Sequence, residues 1–187
     1  MYAYRKLSGK RKSIIEEYLK KLNVSMRVLD ERYELILLKR RDVHLVNKEM
    51  MRFLPKIFQK DPSYASMKIY SLGVFFGRFQ RDEFKMTIEG ARLISHYMKK
   101  VRVNEKGEQL FLYGRDILGE SLTYVDPTVS NGDIVSVNNK MDEFLGIGEW
   151  VVGSRDLDGL QKKVVVRNKA DLGMYLKEDT LPFIDSV

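Results

Sequence analysis

From residue 110 onward the chain consists of short apolar runs separated by glycine-bearing turns: Leu110–Tyr113, Leu122–Val125, Ile134–Val137, Phe144–Val152 and Val164–Val166. Runs of three to nine residues are too short for helices that bury a face. Their close spacing, within about 80 residues, predicts a small β-barrel. The first half reads differently. Ser13-Ile14-Ile15-Glu16 has capping-box spacing, and Ile14, Ile15, Tyr18, Leu19 and Leu22 follow at helical intervals with Lys12, Lys20 and Lys21 on the wet side. Tyr33–Leu38 and Val43–Val46 flank the charged turn Lys39-Arg40-Arg41-Asp42, a β-hairpin with a basic tip. Asn47 caps a helix running toward Lys60 and interrupted by Pro55, and Asp61-Pro62-Ser63 is a loop. Met67–Phe79 and Phe84–Ile88 are predicted strands, and Ile88, Ala91, Ile94 and Met98 form the buried stripe of a helix. Asn104–Glu108 is the expected linker. The fold class is α+β: an N-terminal α/β domain with an antiparallel sheet over 1–104, and a mixed β-barrel domain over 108–181.

Charge divides at the same place. Residues 1–104 hold 24 Lys and Arg against 11 Asp and Glu, a net +13, whereas 105–187 hold 9 against 15, a net −6. Attraction to phosphate follows local charge, so the positive field belongs to the first half. With no cysteine, disulfides, thiolate metal sites and cysteine nucleophiles are excluded. No run approaches the roughly 20 apolar residues of a spanning helix, and Met1–Lys12 is basic without a signal peptide's apolar core, so no membrane or export address is expected.

Leu110-Phe-Leu-Tyr-Gly-Arg-Asp-Ile-Leu118, Asn131-Gly-Asp-Ile-Val-Ser-Val137 and Phe144-Leu-Gly-Ile-Gly-Glu-Trp150 together resemble a PUA domain. Ser71-Leu-Gly-Val-Phe-Phe-Gly-Arg-Phe79, Phe111-Leu-Tyr-Gly114 and Lys169-Ala-Asp-Leu-Gly-Met-Tyr-Leu176 are similar to the Nip-seven family of large-subunit ribosome biogenesis factors. The resemblance implies a two-domain protein acting in pre-ribosomal RNA processing, without a catalytic site or cofactor. It also implies binding of uridine- or AU-rich RNA and partnership with assembly factors and, in archaeal members, the exosome. An archaeal protein of this kind would be cytoplasmic and a eukaryotic one nucleolar. A monomer is expected.

The same resemblance places RNA contacts on basic side chains around Val164–Val166: Lys162, Lys163, Arg167 and Lys169. If the run is a strand, period two puts Lys163, Val165, Arg167 and Lys169 on one face, its cations about 7 Å apart. A solvated edge strand whose lysines deter sheet addition would use the same residues. Gly114 and Gly132 sit at bends where backbone lacking Cβ approaches RNA closely or simply turns, and Arg115 follows the first. Gly146-Ile147-Gly148 is no dinucleotide fingerprint, because Val151 stands where the third glycine belongs. In Phe75–Arg81, arginines interleave with aromatics, so Arg78 joins the candidates. Alternation there sets Phe76 with Arg78 and Phe75 with Phe79 and Arg81. The tip Lys39–Arg41 and the stretch Arg5–Lys12 add a field that raises encounter rates.

Enzyme chemistry lacks its usual parts. The chain has two histidines, His44 and His96, both expected at the surface, and neither a P-loop nor a nucleophile elbow. Asp156, Asp158 and Asp171 are read as turn formers. Two other readings remain: an RNA-modifying enzyme or its specificity subunit, and a protein-interaction adaptor that touches no RNA.

Overall fold

A computed structural model describes residues 4–53, 71–153, 159–176 and 183–184. The first unit opens with a short strand, β1 (Arg5–Lys6), and an amphipathic helix, α1 (Gly9–Lys21), followed by the single turn α2 (Arg27–Asp30). Ile15, Leu19 and Leu22 of the expected stripe are fully buried. Each such side chain contributes roughly 1.5–3 kcal/mol by leaving water. The helix begins earlier than the capping-box spacing suggests: Ser8 holds the cap position, and Ser13 lies inside, its Oγ donating to the Gly9 carbonyl at 3.2 Å.

The strands β2 (Tyr33–Leu38), β3 (Asp42–Asn47), β4 (Val74–Gln80) and β5 (Glu83–Met86) continue from β1 as an antiparallel meander. β3 is buried along nearly its whole length, because both faces of the sheet are covered. Val43 and Leu45 face α1, and Val46 packs with Ile36 and Leu38 on the reverse face. His44, expected at the surface, is 4% exposed on that reverse face, 5.1 Å from the Phe75 ring. The alternation read for β4 also fails. A register shift opposite Val43 and His44 leaves Phe76 without a partner, so Phe76 and Phe79 enter one core while Phe75 and Arg78 share the other face. Asn47 does cap a helix, over 48–53, accepting from the Glu49 amide at 2.8 Å. The expectations for Pro55, Asp61–Ser63 and Met67–Tyr70 lie outside the described residues.

α3 (Ile88–Ile94) runs through a 3-10 turn (Ser95–Tyr97) into β6 (Lys100–Val103). β6 belongs to the second sheet, so that sheet begins ahead of residue 104. The expected linker is the start of a helix, α4 (Glu105–Leu112): Asn104 Oδ1 accepts from the Gly107 amide at 2.9 Å. Leu110–Leu112, read as strand, are its last turn, with Phe111 fully buried. Gly107 looks like linker punctuation in the sequence. It is instead a packing glycine, since a Cβ there would meet Ser121 Cβ at 2.8 Å.

β7 (Ile117–Leu118), β8 (Leu122–Val125), β9 (Ile134–Asn138), β10 (Phe144–Trp150) and β11 (Val164–Asp171) complete a mixed, barrel-like sheet in the order β7-β11-β10-β9-β6-β8, with β6 and β9 parallel. Trp150, Phe111, Val137 and Val165 fill its core. The two units share one core: Ile134, Phe144, Ile147 and Ala170 of the second sheet pack into the same cluster as α1 and α3. Phe183 bridges to Thr87 and the Ile184 amide donates to the Met86 carbonyl at 2.9 Å, so residues that follow the barrel close the Met86 end of the free edge of β5.

Candidate nucleic-acid interface

The loop between α4 and β7 is built by the way the helix ends. Beyond Leu112 the Arg115 amide donates to the Leu110 carbonyl at 3.0 Å and the Gly114 amide to that of Phe111 at 2.9 Å. This double closure is the Schellman arrangement, and it needs a left-handed residue at the position Gly114 occupies with φ +81°. The turn lifts Tyr113 into solvent, where it is 74% exposed, with Arg115 exposed beside it.

Asn168 fastens this loop to β11. Its amide nitrogen donates to Asp116 Oδ1 at 2.8 Å, and its side-chain Nδ2 reaches the Phe111 carbonyl at 2.9 Å, Asp171 Oδ2 at 3.2 Å and the Arg115 carbonyl at 3.5 Å. The neighbours of Asn168 on β11 are Arg167 and Lys169. Both reach one carboxylate oxygen, Glu149 Oε2, at 3.5 Å and 3.0 Å.

That convergence has a backbone cause. The register of β10 against β11 shifts between Ile147 and Gly148, so Gly148 faces Asn168, Ile147 faces Ala170, and Lys169 stands unpaired on a bulge. A further shift against β7 lies between Val164 and Val166. Strict period two therefore fails along β11: Val165 is fully buried rather than sharing an open face with Arg167. β11 is also no edge strand, since β7 and β10 flank it.

Of the residues singled out in the sequence, Gly114, Arg115, Arg167 and Lys169 meet around Asn168. Lys162 and Lys163 are exposed just before the other end of β11, roughly 20 Å along the strand from Lys169. Arg78 lies in the first sheet, its Nε 2.5 Å from Asp42 Oδ1 and its guanidinium 5.8 Å and 5.4 Å from the Phe75 and Phe183 rings. Gly132 turns the chain between β8 and β9 with φ +87°. The sequence reading missed Tyr113, Asn168 and Glu149. An aromatic before a helix-ending glycine is a signal for Tyr113, hidden by reading that segment as strand; no local signal marks Asn168 or Glu149.

The arrangement can recognise a phosphodiester chain. A partly exposed Glu149 neutralises only one of two cations, and ion pairs at such exposure are worth about 1 kcal/mol or less, so a phosphate can capture Arg167. Tyr113 offers a face for a base and Gly114 an approach without a Cβ. Among the described residues no group of three or more His, Cys, Asp or Glu is placed to hold a metal ion. Asp156 and Asp158 lie outside those residues, and Asp171 is buried at the end of β11 beside Asn168. No helix among them is long and apolar enough to cross a membrane.

Residues 99–180 match the UPF0113 PUA domain. A "UPF0113 protein" of Archaeoglobus fulgidus is 38% identical over 123 residues, covering 65% of this chain and 66% of that protein. The "60S ribosome subunit biogenesis protein NIP7 homolog" of Xenopus laevis is 32% identical over 130 residues, 67% of this chain and 72% of that protein. The aligned stretches thus span about two thirds of these relatives. Among solved structures, a conserved PUA domain protein from Thermoplasma acidophilum superposes with a TM-score of 0.55 at 13% identity, covering 91% of this chain and 94% of that one. A PUA domain from Aeropyrum pernix gives 0.55 at 17% identity, covering 91% and 86%. At these identities the structures speak for the fold alone.

Proposed function

This chain belongs to the UPF0113 family that includes the NIP7 proteins, and from that membership we propose that it is an RNA-binding ribosome biogenesis factor working on large-subunit precursor RNA. The observation that carries the reading is the junction at Asn168, which holds the Tyr113–Arg115 turn against Arg167 and Lys169 on a net acidic unit. A unit of that charge can bind RNA only where cations are concentrated. In this reading Arg115, Arg167 and Lys169 take phosphates, Lys162 and Lys163 extend the track, and Tyr113 stacks on a base. The RNA is single-stranded or looped and rich in uridine, because unstacked pyrimidines fit a stacking site beside a short cationic run.

The protein acts by binding, without bond chemistry, as a monomer that meets pre-ribosomal assembly factors and, in an archaeal setting, the exosome. Its place is the cytoplasm of an archaeon or the nucleolus of a eukaryote. The test is affinity for uridine-rich and control single strands against salt, with wild type and Arg115→Gln/Arg167→Gln/Lys169→Gln. Loss of three phosphate contacts should flatten the log–log slope by about 2 and erase the preference for uridine-rich strands. Unchanged slope and preference would remove the junction as the binding surface. Methyl transfer or uridine isomerisation by the isolated chain would replace the binding reading with the enzymatic one.

A further inference from the structure

One end of the first sheet collects cations from three parts of the chain. Asp42 pairs with Arg78 and Gln80 with Glu83, so the β2–β3 and β4–β5 turns close at the same end. The start of α1 comes alongside: Arg11 Nη1 donates to the Arg40 carbonyl at 3.1 Å, and its guanidinium lies 5.0 Å from the Phe79 ring. The Phe79 amide in turn donates to the Arg41 carbonyl at 2.9 Å, tying the first turn to β4. Lys10, Arg11, Lys39, Arg40, Arg41 and Arg81 are thereby gathered on one pole, all but Arg11 exposed. Asp82 is the acid of the second turn, and Glu83 opens β5 directly after it. Among the described residues Lys10, Arg11, Arg40, Arg41 and Arg81 form no ion pair, in contrast to Arg167 and Lys169 with their shared Glu149.

The backbone at this pole is also exceptional. Among the described residues five that are not glycine have positive φ: Asn23, Asp142, Lys39, Arg40 and Arg81. Asn and Asp tolerate that region; long basic side chains are rarely placed there. Two successive left-handed residues in a tight hairpin favour Asn-Gly, yet here Lys39 and Arg40 hold φ of 47° and 67°, and Arg81 holds 55° in the neighbouring turn. Three of the five strained positions thus carry cations at one end of one sheet. Strain kept where an unstrained residue would serve the fold points to a use for the side chain.

We propose that this pole is a second RNA contact, a sequence-independent cradle for the sugar–phosphate backbone that is separate from the junction at Asn168. It rests on the reading of the chain as an RNA binder and adds to it a division of labour: the second unit discriminates and the first unit holds. The guanidinium groups of Arg40, Arg41 and Arg81 supply bidentate donors to phosphate and, forming no ion pair among the described residues, need break none to do so.

The test uses the full chain with uridine-rich and mixed-sequence single strands over a salt series. The pole variant is Lys10→Gln/Lys39→Asn/Arg40→Gly/Arg41→Gln, which places Asn and Gly at the left-handed positions, so its thermal midpoint should hold or rise. A lighter variant, Arg41→Gln/Arg81→Gln, removes two side chains that hold no hydrogen bond or ion pair among the described residues. The slope should flatten by about 3 in the first and about 1.4 in the second, equally for every RNA, with the uridine preference retained. Wild-type affinity and slope in both variants, while the Arg115/Arg167/Lys169 variant weakens, would overturn the second contact and leave the RNA reading intact. Failure of the wild type to bind either RNA at low salt would overturn both.

Discussion

Three side chains show how far single positions answer to chemistry that the sequence does not display. His44 sits within β3 beside Phe75, and burial holds its imidazole below the usual histidine range despite the opposing attraction of Asp42. The unfolded chain titrates near pH 6.5, so between that value and the lower folded one the unfolded state binds more protons. Stability should therefore be complete above about pH 6.5 and fall as the medium is acidified below it. Denaturant midpoints at pH 7.5 and 5.5 will check this; His44→Gln should flatten the difference, and equal acid sensitivity in both proteins would place its origin elsewhere. Lys39 and Arg40 make the opposite case, stability forgone for side chains in left-handed backbone. Lys39→Asn/Arg40→Gly should stabilise the chain by about 1–2 kcal/mol, read from the same midpoints. Both lessons stem from tertiary facts. The alternation around His44 was plain in sequence, but that both faces of its sheet are covered was not.

At the scale of elements, the helix α1 follows from periodicity, because it buries one regularly spaced stripe, whereas the hairpin β2–β3 and the strands β8 to β10 follow from short apolar runs set off by turn residues. Where glycine bulges interrupt the pattern, legibility ends. The shift at Ile147 and Gly148 turns Lys169 toward Glu149, and the shift opposite Phe76 sends two phenylalanines to one core. Helix α4 was lost for a different reason: its apolar Leu110–Leu112 closes a short polar helix, which a single-strand pattern mimics. Arg115, Arg167 and Lys169 became candidates through resemblance and charge, whereas Asn168, which bonds the loop of the first to the strand of the other two, carries no motif. Asn168→Ala should cost roughly 1–3 kcal/mol by removing the side-chain hydrogen bonds to the Phe111 carbonyl and Asp171 Oδ2, and should raise amide exchange selectively at Gly114 and Arg115. Uniform exchange across β11 and the loop would argue against a fastening role. Asn104→Ala, which removes the cap of α4, should cost about 1 kcal/mol without that local signature.

For the molecule as a whole, the division of charge was legible and the joining of the units was not. Lys99 bonds Asp133 at 2.6 Å, Asn23 reaches the same carboxylate at 3.3 Å, and Tyr175 donates to Glu89 at 3.2 Å. Burial opposes ionisation of Asp133, but Lys99, the Ser130 amide and Asn23 outweigh it and hold the carboxyl below its usual range. A depressed carboxyl stabilises above its unfolded value, so this contribution persists at neutral pH and fades only below about pH 4. Removing residues 182–187 should destabilise the chain by roughly 1.5–3 kcal/mol, the value of burying Ile184, and the loss should appear first in exchange of β5 amides. The same clasp has a consequence in time. Thr87 waits for Phe183 to be synthesised, and at roughly 5–20 residues per second the β5 edge stands open for about 5–20 seconds while the barrel strands emerge. During that interval the nascent first unit presents a ready template for a passing strand, so its escape from mispairing on the translating ribosome depends on how fast the downstream hundred codons are read.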